Sequence, residues 1–143
     1  MAAPFLIDTN IVSELTRPAP HPAVVAFLAE NSDLLLSVIL FHELEFGIVR
    51  AHDPRRRAKL QAYAIMLREQ FNGRIIDVDL PIAETAGKLR AFEKARGRIL
   101  TDLDAFIAAT AMAKGATLVT RNTKDFAQLE IPLLNPWETP PQR

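Results

Sequence analysis

Short apolar runs alternate along this chain with longer stretches of helical periodicity. Residues 4–7 read as a buried strand, closed by the turn signal Asp8-Thr9-Asn10. Ile11 to Leu15 starts a helix that Pro18, Pro20 and Pro22 break. Val24, Val25, Phe27 and Leu28 have helical spacing up to Asn31-Ser32, and Leu34 to Val38 reads as a second strand. His42 to Val49 predicts a helix with Leu44 and Ile48 inward. Pro54 opens a long helix to about residue 71, with Leu60, Tyr63, Ala64 and Leu67 as its apolar stripe. After the Asn72-Gly73 turn, Ile75, Ile76 and Val78 form a third short strand. Pro81 opens a helix with Ile82, Ala86, Leu89 and Phe92 on one face, ended by Gly97. Asp102 to Lys114 is an apolar helix closed by Gly115. Ala116 to Val119 is a fourth strand, a turn spans Lys124 to Gln128, and Ile131 to Leu134 is a candidate edge strand.

Strands alternating with helices predict an α/β fold, a parallel sheet with helices on both faces. Such sheets bind ligands beyond the carboxyl ends of their strands. Four acids fall at those ends or at the helix starts that follow them: Asp8, Glu43, Asp104 and Asp125. Each has a bland alternative. Asp8 suits a turn or cap, although Thr9 and Asn10 would cap as well. Glu43 suits a first helical turn, but its neighbours Phe41, Leu44 and Phe46 are large and apolar. Asp104 follows Thr101 at capping-box spacing, with Asp102 as a competing acid. Asp125 suits a loop. Gathered in one crevice, the four carboxylates would repel one another unless a divalent cation joined them. Hard cations take oxygen ligands, and a carboxylate-held Mg²⁺ or Mn²⁺ serves phosphoryl chemistry. The pattern therefore points to a metal-dependent nuclease.

Composition narrows this further. At 143 residues the chain suits one domain, assigned to residues 1–137, followed by a loose, proline-rich tail over 138–143. The absence of cysteine excludes thiol catalysis and zinc–thiolate sites. No signal-peptide pattern or membrane-length apolar run is visible, so a cytoplasmic protein with no membrane partner is expected. Seventeen basic residues balance seventeen acidic ones, unlike a chain that coats nucleic acid non-specifically. Two basic stretches stand out: Arg50, Arg55, Arg56, Arg57 and Lys59, then Lys88, Arg90, Lys94, Arg96 and Arg98. Each alone is a solvated helix face; beside an acidic pocket they would guide a phosphate backbone. His21, His42 and His52 lack metal spacing, and no glycine-rich phosphate loop occurs.

Four blocks carry a family resemblance. They are Leu6-Ile7-Asp8-Thr9-Asn10-Ile11-Val12-Ser13-Glu14-Leu15, Ser37-Val38-Ile39 leading to Glu43-Leu44 and Gly47, Asp104 to Ala111, and Leu118 to Phe126. In this order and spacing the chain resembles PIN-domain ribonucleases. It looks most like the VapC toxins of VapBC type II toxin–antitoxin systems, in the FitB-like branch, from about residue 5 to 137. The resemblance implies a single PIN domain with a parallel sheet of about five strands. It implies Mg²⁺ or Mn²⁺ held by Asp8 and Asp104, with Glu43 and Asp125 completing the acidic set and Asn10, Thr120 and Asn122 in support. It further implies an RNA substrate, a cognate VapB-type antitoxin, operator DNA bound only through that antitoxin, and a homodimer. Leu40 departs from the hydroxyl residue that many relatives carry three before the glutamate, and Asp102 is an extra acid. An RNA-processing PIN nuclease without a toxin role, or a non-catalytic PIN binding module, would share the fold. Loss of an acid would favour the binding module, and all four acids are present.

Overall fold

The computed structural model describes residues 3–138. Its elements run β1 (Phe5–Ile7), α1 (Thr9–Leu15), α2 (Pro22–Glu30), β2 (Leu34–Ser37), α3 (Val38–Arg50), α4 (Pro54–Gln70), β3 (Ile75–Ile76), α5 (Leu80–Ala95), α6 (Asp102–Lys114), β4 (Thr117–Val119), α7 (Thr123–Phe126) and β5 (Leu133–Leu134). The strands form one sheet of order β3-β2-β1-β4-β5, parallel at every pairing. This is the doubly wound α/β architecture expected. From β1 the chain goes outward on one side to β2 and β3, and later returns on the other side to β4 and β5. The order therefore switches between β1 and β4.

Period-two alternation sorts the core into two faces. Ile7, Leu34, Leu36 and Val119 pack with Ile11, Val12, Val24, Phe27, Leu40, Leu44 and Leu67 from α1 to α4. Leu6 and Leu118 point the other way, to Ile107, Ala108 and Ala111 of α6, Phe126 of α7, and Ile131. Ala105 and Ala109 of α6 meet Ile82 and Ala86 of α5 in a third cluster. The alanines of α6 let it lie against both the sheet and α5. Among the described residues no helix is long and apolar enough to cross a membrane.

Several boundaries differ from the sequence reading, for local reasons. Helix α3 begins at Val38, not His42, because the Ser37 hydroxyl caps it by accepting from the Ile39 amide at 3.1 Å. Glu43 consequently sits in the second turn, and Ser37 supplies the cap that Leu40 cannot. The first helix begins at Thr9, not Ile11, with Asp8 itself as its cap. Val78 and Ile131 lie outside their neighbouring strands. Phe92 is not inward but 61% exposed; the buried position one turn beyond Leu89 belongs to Glu93. Arg98 compensates that buried acid through Nε at 2.5 Å and a second guanidinium nitrogen at 3.2 Å. The Arg98 hydrogen bond holds the Glu93 carboxyl below its ordinary range. Phe27 and Leu67 are core residues, Phe41 and Tyr63 partly buried, and Phe46 exposed. The proposed tail lies, beyond Glu138, outside the described residues.

Two glycines give an internal control. Gly115 closes α6 at φ 57°, whereas Gly87 lies inside α5 with open space where a Cβ would be. Gly115→Ala should lower the unfolding free energy by roughly 1 kcal/mol, since an L residue is strained there. Gly87→Ala should raise it by roughly 0.5–1 kcal/mol through helix propensity. Urea unfolding of both variants checks the opposite signs.

Candidate functional site at the sheet switch point

Asp8 directly follows β1, and Thr120 directly follows β4. The two strands are neighbours, so residues 112 apart in sequence meet at their carboxyl ends. The Thr120 hydroxyl donates to Asp8 Oδ2 at 2.8 Å, and both residues are buried. That hydroxyl also accepts from Asn10 Nδ2 at 3.2 Å and from the Asn122 amide at 3.0 Å. One donor and two acceptor positions exhaust a hydroxyl, so its proton is committed to Asp8. Asn10 adds a second contact to Asp8 Oδ2 at 3.3 Å, and its Oδ1 accepts from the Arg121 amide at 3.1 Å. Asp8 Oδ1 accepts from the Thr9 amide at 2.8 Å. The Asn10 and Thr120 side chains, with the Asn122 backbone amide, tie the ends of β1 and β4 around one carboxylate.

Asp8, Glu43 and Asp104 line one open cavity of about 690 Å³. Glu43 reaches it from α3, where its Oε1 accepts from the Thr9 hydroxyl at 2.8 Å. Asp104 reaches it from the first turn of α6, whose cap Thr101 accepts from the Asp104 amide at 3.2 Å. Asp125 does not line the cavity; it is exposed on α7, near enough for its charge to act on Asp104. The competing acid Asp102 is turned away and ion-paired with Arg90 at 2.9 Å on the surface.

Burial is the main cause that raises the Asp8 carboxyl above its ordinary 3.8, opposed by its hydrogen bonds to Thr120 and Thr9 and reinforced by the charge of Glu43. Asp104 is raised chiefly by burial as well, with Asp8 and Asp125 repelling it. Carboxylates held together against their own repulsion are a common mark of a functional site. Their donor chemistry, with the hydroxyl and amide oxygens beside them, suits a hard cation. Among the described residues no three acids or histidines form a closed cation cage.

Sequence reasoning gave no role to part of the cavity wall. Glu14 is buried there although charged, accepting from the His21 amide at 2.9 Å and from Arg17 at 3.2 Å. The His21 amide, then Arg17, holds its carboxyl below the usual range. Arg17, Arg56, Arg121 and Trp137 also line the wall. Arg56 belongs to the first basic stretch noted in the sequence. Glu14 had a signal as well: it shares the inward face of α1 with Ile11, where a charge needs a reason. As a check on the Asp8 network, Thr120→Val should lower stability by about 2 kcal/mol, the scale of a hydrogen bond to a charged group. Thr120→Ser should retain most of it; equal stability of the two variants in urea titrations would refute the network.

Comparison with known proteins agrees with this geometry. The PIN-domain family profile matches residues 5–132. Toxin FitB of Neisseria gonorrhoeae is 33% identical over 93% of this chain and 98% of its own. VapC ribonuclease Y4jK of Sinorhizobium fredii is 33% identical over 94% of this chain and 98% of its own. Among solved structures, FitAcB from Neisseria gonorrhoeae superposes with TM-score 0.88 at 33% identity, covering 94% of this chain and 99% of that one. VapBC2 from Rickettsia felis, bound to a DNA fragment from its promoter, gives TM-score 0.75 at 27% identity, covering 92% and 97%. The chain belongs to the PIN-domain family, alongside its VapC and FitB members.

Proposed function

We propose that this chain is a Mg²⁺- or Mn²⁺-dependent endoribonuclease, the toxin of a type II toxin–antitoxin pair neutralised by a cognate VapB-type antitoxin. The observation that carries the reading is the buried Asp8 carboxylate at the switch point, sharing one cavity with Asp104 and Glu43. Its relatives' names support ribonuclease activity and a toxin role. The structural neighbours are toxin–antitoxin complexes, some of them with DNA. The antitoxin would carry the DNA contact, and a homodimer would cover some of the exposed apolar side chains, Phe46, Val49, Phe92 and Ile99 among them.

In this reading Asp8 and Asp104 hold the cation and Glu43 completes the acidic set. A bound divalent cation supplies Lewis acidity toward the phosphate and makes water a better nucleophile. Thr120 and Asn10 keep Asp8 in one orientation, so no rearrangement is needed when substrate arrives. Thr9 fixes one oxygen of Glu43, which orients the attacking water. Arg17, Arg56 and Arg121 offset the negative charge of the acids toward an incoming phosphate. Water oxygen would bond to phosphorus and give up a proton to solvent, while the bond to the departing nucleotide oxygen would break and that oxygen take up a proton from solvent. Asp125, outside the cavity, tunes Asp104 through its charge.

Purified protein incubated with total RNA and Mg²⁺ should yield discrete fragments, and EDTA should abolish them. Asp8→Asn should reduce cleavage by at least roughly 100-fold, the scale of losing one electrostatic group at a reacting centre. Cleavage that survives EDTA or this substitution would sink the assignment.

The same variant should be more stable in the absence of metal. Asp8 has a folded-state pKa raised above its unfolded value, so its ionised form costs stability above the folded pKa and costs nothing below the unfolded one. The thermal midpoint of Asp8→Asn should therefore exceed that of the parent at neutral pH. The difference should shrink as pH falls through the raised pKa toward 3.8. An unchanged difference across that window would refute the burial account.

A further inference from the structure

The acid cavity has a second wall that hydrolysis alone does not use. Trp137, the chain's sole tryptophan, lines it. Trp137 is partly buried and packs against the apolar cluster that α1 to α4 form on one face of the sheet. The turn before it is fixed, since the Trp137 amide donates to Asn135 Oδ1 at 3.0 Å and Pro136 is buried. The Arg121 guanidinium lies 4.9 Å from the indole centroid. Arg121 also lines the cavity, and its own amide is held by Asn10, the residue that supports Asp8. An exposed arginine stacked on a half-buried indole forms a flat, cationic and aromatic surface. Both residues are anchored to the elements that position the acids.

Such surfaces bind nucleobases through stacking and cation–π attraction, with little regard to base identity. Single-stranded RNA exposes bases that can be splayed onto aromatic and guanidinium planes. We propose that the Arg121 guanidinium, backed by the Trp137 indole beneath it, is the nucleobase-stacking platform of this cavity, holding one base of the RNA so that its phosphate lies toward the acids. The inference rests on the nuclease reading and adds to it how the substrate is gripped. The cavity, at about 690 Å³, has room for a base and its phosphate together.

The single tryptophan makes the test direct. Purified chain in EDTA is titrated with the oligoribonucleotides r(A)12 and r(U)12, following tryptophan emission and, separately, the anisotropy of end-labelled RNA. Emission should be quenched on binding. The purine oligomer should bind more tightly, because purines stack better. Trp137→Leu should weaken r(A)12 binding roughly 5- to 100-fold, the range of one base–aromatic stack, and close the gap between the oligomers. Trp137→Phe should restore most of the affinity. Arg121→Gln, an exposed change that leaves the backbone bond to Asn10, should weaken binding as well.

RNA bound equally well by Trp137→Leu, with unchanged wild-type emission, would overturn the platform and leave the nuclease reading standing. Failure to bind either oligomer both in EDTA and, with the cleavage-deficient Asp8→Asn variant, in Mg²⁺, while the parent still cleaves total RNA, would overturn the platform as well. No binding and no cleavage would overturn both.

Discussion

The hydrogen bond from Thr120 to Asp8 joins the two strands at the point where the sheet changes direction. It spans 2.8 Å in space and almost the whole domain in sequence. A carboxylate at that depth would be too costly to keep ionised without partners. Thr120, Thr9 and Asn10 supply them, and each sits on the end of a regular element. The parallel pairing of β1 with β4 brings those ends together. The site is in this sense a product of topology: without the switch in strand order, Asp8 would have no threonine beside it.

Charge is arranged around this point in two tiers. Burial raises Asp8 and Asp104, and the charge of Glu43 on Asp8, and of Asp8 and Asp125 on Asp104, raises them further. Arginines from the segment after α1, from α4 and from the segment after β4 stand around the same cavity. Glu14 holds Arg17 in that ring, and the ion pair gives a buried acid a structural reason to exist. The cavity can thus attract a phosphate and still concentrate negative charge where a cation would bind. A net charge of zero over the chain conceals this local separation.

Most of the architecture was legible in the sequence, because β1, β2 and β4 are apolar runs bounded by polar turns and the long helices carry clear stripes. The positions of Asp8, Glu43 and Asp104 followed from the rule that such sheets work at their carboxyl ends. What stayed hidden depended on competition between local signals. Val38 is β-branched and suits a strand, but the Ser37 cap begins a helix at that residue. Phe92 fits an apolar stripe, yet Glu93 wins the buried position because Arg98 lies five residues on. Asp102 and Asp104 were equivalent by spacing until Arg90 drew the former outward. Trp137 drew no notice because its importance depends on Arg121, a partner sixteen residues away with no periodic relation to it.

Asp8 alone stands between a strand and a helix, following the one and capping the other, with no loop between them. Loops are where enzymes usually keep their moving parts. Here the central acid is gripped from both sides by regular structure, and the chain has no slack with which to withdraw it. A site built this way has no hinge. A molecule entering the opening therefore meets Asp8 already in the orientation that the strand and the helix set.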